Sequence, residues 1–278
     1  MRGANCLICQ FLLHIVHDFM LKRVEDLYIR MPKAILYDST LCIGCKACEG
    51  ACAERWGFPY NEKIAAEEHI SAHKLTAIET HGERFSRRLC MNCAQPACAS
   101  VCPVGALEKT ALGPVVYDAS KCMGCRYCMQ ACPFQVPSYE WTSRLPKMRK
   151  CDMCFERQSQ GKVTACTEAC PVGATKNGDH DALVAEARQR IAEKPDQYYG
   201  KIYGLTEVGG TSVLYLSAVP FEQIGLRTNV PQEPLPETTW RVLELVPDVV
   251  STGAILLGGI WWITNRRAEV AQREGKRR

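Results

Sequence analysis

The sequence has little charge imbalance and few long apolar runs. Its 278 residues carry 34 basic and 30 acidic side chains, a formal net charge of +4, so no general basic surface points to nucleic acid as a partner. The mean hydropathy of −0.15 excludes a polytopic membrane protein, and a hydrophobic fraction of 47% excludes a disordered chain. A glycine-rich nucleotide loop and a catalytic triad are also missing. The unusual feature is the content of 18 cysteines.

Sixteen of the 18 cysteines form four motifs of four. Motifs 1 and 3 share the spacing C-x2-C-x2-C-x3-C, with Cys42, Cys45, Cys48 and Cys52 in motif 1 and Cys122, Cys125, Cys128 and Cys132 in motif 3. Motif 2 is C-x2-C-x4-C-x3-C (Cys90, Cys93, Cys98, Cys102), and motif 4 is C-x2-C-x11-C-x3-C (Cys151, Cys154, Cys166, Cys170). Proline follows the last cysteine of motifs 2, 3 and 4 but Ala53 follows motif 1, so we expect a less sharp turn there.

This spacing is typical of 4Fe–4S clusters, because three thiolates converge from one loop onto one cluster. We expect the fourth cysteine to lie on the following helix and to point to a second cluster. We expect Gly44 and Gly124 to let the backbone approach the clusters. Zinc sites use paired C-x2-C units without the additional cysteines of these motifs, and disulfides within such runs would be crowded. Four such motifs therefore favour iron–sulfur clusters over both alternatives.

The sequence around the motifs also repeats. Residues 37–42 align with 117–122, each after a short apolar run that predicts a strand, and residues 102–106 match 170–174. The unit is a strand, a cysteine loop, a short helix, a turn and a strand. We predict an α+β fold with a poorly structured N-terminal extension over 1–30 and a double ferredoxin-like four-cluster domain over 31–180, which carries an insert at 53–89. The two modules are expected to form a pseudo-twofold arrangement.

Several smaller features carry alternatives. His69 and His73 are spaced i, i+4, and we interpret them as part of a solvated helical face rather than a metal site. Cys6 and Cys9 are interpreted as ordinary thiols. Lys46 and Arg126, between cluster cysteines, either stabilise reduced clusters or are plain surface charges.

Residues 181–240 are predicted to hold a helix and a partner-docking segment or linker. Residues 181–193 have apolar positions at helical spacing. The apolar run 213–219 is either a packing strand or a docking segment. The three prolines of residues 231–236 predict an extended linker.

The C-terminal region predicts a transmembrane helix over 241–265. Residues 249–265 carry no charge, and about 20 residues span a bilayer. Trp261 and Trp262 suit an interfacial belt, and Gly253, Gly258 and Gly259 suit close packing with other membrane helices. The alternative is a buried core helix. The basic tail 266–278 predicts a cytoplasmic C-terminus and a periplasmic cluster domain, in a single-pass protein of the bacterial inner membrane.

The chain resembles the four-cluster electron-transfer (beta) subunit of respiratory complexes in the molybdopterin oxidoreductase group. It is most similar to the beta subunit of membrane-bound formate dehydrogenase and to the ferredoxin-like subunit of the Hyb-type nickel–iron hydrogenase. The resemblance covers residues 34–267 and rests on the order of the motifs, the gap between Cys154 and Cys166, the segments 209–211 and 219–222, and the C-terminal helix. No twin-arginine leader is visible, which favours formate dehydrogenase. Residues 37–40 and 219–222 resemble the hydrogenase subunit more, and the formate dehydrogenase type is preferred by a small margin.

The resemblance implies four 4Fe–4S clusters with crossed ligands. The implied sets are Cys42, Cys45, Cys48 and Cys170; Cys151, Cys154, Cys166 and Cys52; Cys90, Cys93, Cys98 and Cys132; and Cys122, Cys125, Cys128 and Cys102. Cys125 stands where nitrate reductase relatives have a tryptophan and a 3Fe–4S cluster.

The implied function is electron relay rather than catalysis. The partners are a catalytic subunit of molybdopterin or nickel–iron type and an integral membrane quinone-reducing subunit. The alternatives of other classes are a free-standing membrane-tethered ferredoxin or redox sensor, and a zinc-stabilised structural protein.

Overall fold

The computed structural model describes residues 32–61, 65, 69–144 and 146–275. The chain divides after Pro234 into two units. The strands are β1 (Lys33–Asp38), β2 (Thr76–His81), β3 (Arg84–Leu89), β4 (Leu107–Lys109), β5 (Val115–Tyr117), β6 (Ser138–Tyr139), β7 (Met148–Arg149), β8 (Thr175–Asp179) and β9 (Val213–Leu216). The helices are α1 (Ala47–Trp56), α2 (Ala97–Ser100), α3 (Tyr127–Gln130), α4 (Phe155–Ser159), α5 (Ala165–Glu168), α6 (His180–Glu193), α7 (Leu235–Leu243) and α8 (Val246–Gly275). This mixed content agrees with the predicted α+β class.

Strand pairing joins motif 1 to motif 4 and motif 2 to motif 3. Strand β1, before motif 1, pairs antiparallel with β8, after motif 4. Strand β5, before motif 3, pairs antiparallel with β4, after motif 2. Helix α1 packs on α5, and α2 packs on α3. The motifs are therefore combined across the chain, not in sequence order.

The two pairs of motifs share local hydrogen bonds. The Asp38 amide donates to the Ala174 carbonyl at 2.8 Å, and the Asp118 amide donates to the Ala106 carbonyl at the same distance. The Asp38 carboxylate accepts from the hydroxyl two residues later at 2.6 Å, and the Asp118 carboxylate does the same. The repeat seen in the sequence is thus a repeat of local structure.

The cysteines occupy regular places on the motif helices. The third cysteine of each motif is the second residue of its helix: Cys48 on α1, Cys98 on α2, Cys128 on α3 and Cys166 on α5. Helices α2, α3 and α5 end two residues before the fourth cysteine, because the proline that follows it disfavours the helical region for the cysteine itself. The prediction that the fourth cysteine lies on the helix is therefore wrong for these three motifs.

The helix of motif 1 continues past its fourth cysteine, as expected from the alanine that stands there in place of proline. Helix α1 continues through Cys52 and Ala53 to Trp56. It ends where Gly57 adopts φ +66° and donates to the Glu54 carbonyl, while Phe58 donates to the Ala53 carbonyl, a Schellman-type end. The absence of proline thus lengthens this helix to ten residues.

The segment after motif 4 completes the first unit. Helix α6 confirms the helical pattern of residues 181–193, and Leu183, Val184 and Ala187 are buried against Ala34, Leu36, Leu214 and Leu216. Strand β9 pairs parallel with β1, and all four of its residues are buried. Of the two interpretations of residues 213–219, the packing strand therefore fits residues 213–216.

The second unit consists of α7 and α8. Helix α7 begins at Leu235, so the last two residues of the predicted linker are helical. Helix α8 has 30 residues, or about 45 Å at 1.5 Å per residue, and Pro247 stands in its first turn, where no helical N–H is lost. The segment from Leu235 to Gly275 includes a helix long and apolar enough to cross a membrane, and its apolar part is not buried.

Some predictions lie outside the described residues. These are the extension over residues 1–30, the interpretation of Cys6 and Cys9, part of the insert, and the last three residues of the basic tail.

Candidate metal centres

The four cysteine loops share one backbone feature. The residue before the second cysteine has a positive φ in every motif: Gly44 at +69°, Asn92 at +47°, Gly124 at +76° and Met153 at +51°. Glycine and asparagine tolerate this region, but Met153 does not do so readily. The main role of Gly44 and Gly124 is therefore conformational. Gly44 is also crowded, since a Cβ there would lie 2.4 Å from the Phe85 ring.

The first cysteine group combines motif 4 with one cysteine of motif 1. Cys151, Cys154 and Cys166 line one cavity together with Cys52. Two ionic hydrogen bonds hold the segments together, because Arg55 contacts both carboxylate oxygens of Asp152 at 3.0 and 2.8 Å. The structure thus brings together the four residues of one implied ligand set.

The second group combines motif 3 with the last cysteine of motif 2. Cys122, Cys125, Cys128 and Cys102 line another cavity with Tyr117 and Tyr139. The Tyr139 hydroxyl lies 3.7 Å from the Cys128 sulfur. Tyr117 forms a side-chain hydrogen bond with Cys122, and Tyr37 forms the equivalent bond with Cys42. The pKa of both phenols is raised, mainly because the side chains are buried.

The third group lies between these two. Cys93 and Cys98 both lie within electrostatic reach of Cys90, from their own motif, and of Cys132, from the next motif. The residues 209–212 position this loop. Gly210 accepts a hydrogen bond from Ala94 at 3.0 Å, and Thr211 forms a β-bridge with Cys93.

The remaining four cysteines are Cys42, Cys45, Cys48 and Cys170. Cys48 is buried and lies within electrostatic reach of Cys42. Cys45 is exposed, and Cys170 is half-buried just after α5. Strand pairing of β1 with β8 joins the segments that carry them.

Two buried cations among the cysteines escaped the sequence analysis. Arg87 is 1% exposed, and its guanidinium donates to the hydroxyls of Thr76 at 2.8 Å and Thr175 at 3.2 Å. The Lys150 ammonium is also buried and donates to the carbonyls of Val115 and Cys151. Neither forms an ion pair with a carboxylate among the described residues, whereas buried Lys74 contacts Glu49 at 3.0 Å. In the sequence, a single basic residue in or beside a predicted strand does not show whether it will be buried or whether an acidic partner will lie beside it.

The electrostatics of the site point to anions at the cysteines. Burial raises the pKa of the free Cys48, Cys52 and Cys98 thiols to about 12. The pKa of Cys166 is instead held below its usual value, because Arg87 and a hydrogen bond from Thr164 outweigh the effect of burial. An unpaired buried cation is costly, and thiolates bound to iron would supply the missing negative charge. The residues present therefore fit iron–sulfur clusters.

The same residues do not resemble a closed site for one ion. Among the residues that the structure describes, no three His, Cys, Asp or Glu side chains converge on a position that could hold a metal ion. A structural zinc ion requires four ligands within about 2.3 Å of one point. A four-iron cluster spreads its cysteines more widely.

The other sequence candidates lie away from these groups. His69 and His73 lie in an irregular segment, so the predicted helix is wrong there. His69 lies 3.3 Å from Glu79, and His73 packs edge-on against Phe58. Lys46 and Arg126 both have positive φ, and Arg126 lies over the Trp141 ring at 4.5 Å.

Comparisons with known proteins agree with this chemistry. Residues 82–180 match the 4Fe-4S dicluster domain family. The chain is 36% identical over 236 residues to the hydrogenase-2 operon protein HybA of Escherichia coli, covering 69% of this chain and 72% of that protein. It is 31% identical over 250 residues to the formate dehydrogenase iron-sulfur subunit of Haemophilus influenzae, covering 82% and 77%. A protein of Nitratidesulfovibrio vulgaris is 38% identical over 254 residues, covering 86% and 69%. The higher identity to HybA does not support the preference for the formate dehydrogenase type.

Proposed function

Because this chain belongs to the family of iron–sulfur electron-transfer subunits that includes HybA and formate dehydrogenase subunits, we propose that it relays electrons through four 4Fe–4S clusters. It is a non-catalytic carrier within an oxidoreductase complex. The observation that supports the clusters is that cysteines of different motifs line common cavities, with buried cations beside three of the four groups. When bound, the clusters supply one-electron reduction and oxidation.

The proposed ligand sets are crossed between motifs. The set Cys52, Cys151, Cys154 and Cys166 and the set Cys102, Cys122, Cys125 and Cys128 are supported by the two cavities that they line. The set Cys90, Cys93, Cys98 and Cys132 is supported by its mutual electrostatic contacts. The set Cys42, Cys45, Cys48 and Cys170 follows by the same pattern. Equivalent strand pairs and hydrogen bonds support a pseudo-twofold relation between the modules.

The neighbouring positions of the four cysteine sets also suggest the order in which electrons pass through them. The set with Cys48 neighbours the set with Cys166, the set with Cys151 neighbours the set with Cys90, and Cys98 neighbours Cys128. We place the set with Cys48 nearest the electron-donating catalytic subunit and the set with Cys128 nearest a quinone-reducing membrane subunit. The exposed cysteines of the path, Cys45 and Cys125, belong to these two end sets.

The catalytic partner is proposed to be a nickel–iron hydrogenase subunit, since identity to HybA exceeds identity to the formate dehydrogenase subunit. A molybdopterin formate dehydrogenase is the second candidate, supported by the relatives of that name. We propose that residues 241–265 anchor the chain in the bacterial inner membrane and that the cluster domain is periplasmic.

One purification tests the function. The full chain, extracted anaerobically in mild detergent, should contain about 16 iron atoms and matching sulfide. A large catalytic subunit should accompany it, and mass spectrometry should identify that subunit as hydrogenase or formate dehydrogenase. Zinc without sulfide would exclude the electron-transfer function, and a cluster-bearing chain without partners would indicate a free-standing ferredoxin.

The orientation has its own test. Arg266, Arg267 and Arg273 follow the apolar segment, and basic residues remain on the cytoplasmic side. A reporter that is active only in the periplasm, fused after Arg278, should therefore be silent. Activity of that reporter would reverse the proposed topology.

A further inference from the structure

Arg87 lies between two cysteine groups. Arg87 lines the same cavity as Cys52, Cys151 and Cys166. Arg87 lies within electrostatic reach of Cys166, with which it also shares a hydrogen bond, and of Cys48. Cys48 belongs to the neighbouring set. Arg87 donates hydrogen bonds to the hydroxyls of Thr76 on β2 and Thr175 on β8, and these two bonds fix the position of its side chain.

Lys150 lies between the next two groups. Its ammonium donates to the carbonyl of Cys151 at 3.3 Å. Cys90 and Cys98 also lie within electrostatic reach of this ammonium. The Asn92 amide joins the same two groups, because it donates to the carbonyls of Cys90 at 3.0 Å and Cys151 at 3.4 Å.

The last cysteine group has different neighbours. Cys102, Cys122, Cys125 and Cys128 share their cavity with the phenols of Tyr117 and Tyr139 rather than with a cation. Among the described residues, the fully buried cations without a carboxylate partner are Arg87 and Lys150. Their charges are therefore concentrated at the junctions between three of the four groups.

A fixed positive charge stabilises the more negative state of a nearby redox centre. Reduction adds one electron, so a buried cation raises the reduction potential, and low dielectric strengthens the effect. A cation between two centres acts on both. An electron that moves from one centre to the other then remains beside the same positive charge, so the transfer does not separate it from its counterion.

We propose that Arg87 and Lys150 are potential-setting residues, each of which raises the reduction potential of the two clusters that it separates. This inference rests on the proposed function, because it requires clusters at the cysteine sets. Arg87 acts on the sets with Cys48 and Cys166. Lys150 acts on the sets with Cys151 and Cys90. The set of Cys52, Cys151, Cys154 and Cys166 borders both cations and responds to both.

The test is an anaerobic redox titration of the full-length holoprotein, followed by electron paramagnetic resonance. Arg87→Met and Lys150→Met should each lower two of the four midpoint potentials and leave the other two unchanged. The decrease should be at least tenfold in the reduction equilibrium constant, about 59 mV for a one-electron couple. One cluster should shift in both variants, and in the double variant its decrease should be the largest.

Controls separate the charge from the packing. Arg87→Lys and Lys150→Arg keep the charge and should restore most of each potential. Arg188→Met and Lys162→Met remove exposed cations and should leave all four potentials unchanged. Iron content is measured for every variant. If Arg87→Met or Lys150→Met loses iron, the charge-conserving variant at that position and the methionine variant at the other position are used to test the proposal.

The outcomes distinguish failure of the proposed function from failure of the proposed role of Arg87 and Lys150. A wild-type chain without clusters would refute the proposed function itself. Four clusters with potentials that do not move in Arg87→Met or Lys150→Met would refute only the role of these residues. The same holds if the two variants shift separate pairs with no cluster in common, or if all four potentials shift equally.

Discussion

At the scale of single residues, neighbours in sequence serve different sites. Cys48 and Cys52 lie one turn apart on α1 and share a face of the helix. Cys52 lines the cavity of the motif 4 cysteines, whereas Cys48 does not line it and lies near Cys42. A helix turn advances about 5.4 Å, which is enough to direct the two sulfurs to adjacent groups. This arrangement allows a direct test of the crossed ligand sets.

We expect Cys52→Ser to remove or convert the cluster of motif 4, because it deletes the fourth sulfur of that set. Cys48→Ser, one turn away, should instead affect the cluster of motif 1. Paramagnetic resonance spectra of the two variants should lose different signals, with iron content reduced in each. Loss of the same signal in both variants would mean that the sets are not crossed.

The two loop glycines should differ in their tolerance of a side chain. Both have positive φ, which costs a non-glycine residue about 1–2 kcal/mol. At Gly44 a Cβ would also meet the Phe85 ring at 2.4 Å, while nothing lies within 4 Å at Gly124. Gly44→Ala should therefore lower the melting temperature of the holoprotein more than Gly124→Ala. Equal effects would show that the Phe85 contact is unimportant, and Phe85→Leu combined with Gly44→Ala should recover part of the difference.

At the scale of elements, one residue type decides where each motif helix ends. Proline after the fourth cysteine terminates α2, α3 and α5 early, and Ala53 allows α1 to continue. The additional turn of α1 carries Arg55 and Trp56. Arg55 pairs with Asp152 of motif 4, and Trp56 stacks on Phe58 at 6.0 Å between ring centres. The longer helix thus connects motif 1 to motif 4.

Ala53→Pro should break this connection. A proline within a helix removes a hydrogen bond and clashes with the preceding turn, at a cost of about 3 kcal/mol or more. We expect a clear loss of thermal stability, measured by circular dichroism, and weaker retention of the motif 4 cluster. Ala53→Gly should cost only about 1 kcal/mol. A proline variant as stable as the glycine variant would show that the last turn of α1 contributes nothing.

At the scale of the whole molecule, the chain consists of a unit that holds every cysteine motif and a unit that holds the apolar helix. The apolar side chains of α8, such as Ile255, Leu257 and Trp261, are exposed to 66% or more. Such a surface requires lipid or a partner to cover it. The division implies that electron transfer depends on the first unit, whereas the second unit carries a helix that could span a membrane.

Truncation after Pro234 should separate these properties. The shortened chain should be soluble without detergent and should keep its iron, because no motif is removed. On the proposed path, donor oxidation with an artificial dye should persist, whereas donor oxidation with quinone should fall strongly, because the proposed end cluster would no longer be held near its acceptor. Quinone-linked activity at the full-length level would show that the helix is dispensable for electron delivery.

The sequence by itself determined the chemistry of the cysteine motifs and much of the local structure. The cysteine spacing, the strands before motifs 1 and 3, the helix of residues 181–193 and the apolar C-terminal segment depend on short-range patterns, which the sequence displays directly. Tertiary structure decided the rest. Arg87 meets Thr175 across 88 positions of sequence, and Asn92 joins carbonyls from two motifs. Such contacts arise only when β1 pairs with β8 and β4 with β5. The burial of Arg87 and Lys150 between cysteine groups therefore became visible only in the fold, because burial and charge pairing depend on residues that are distant in the chain.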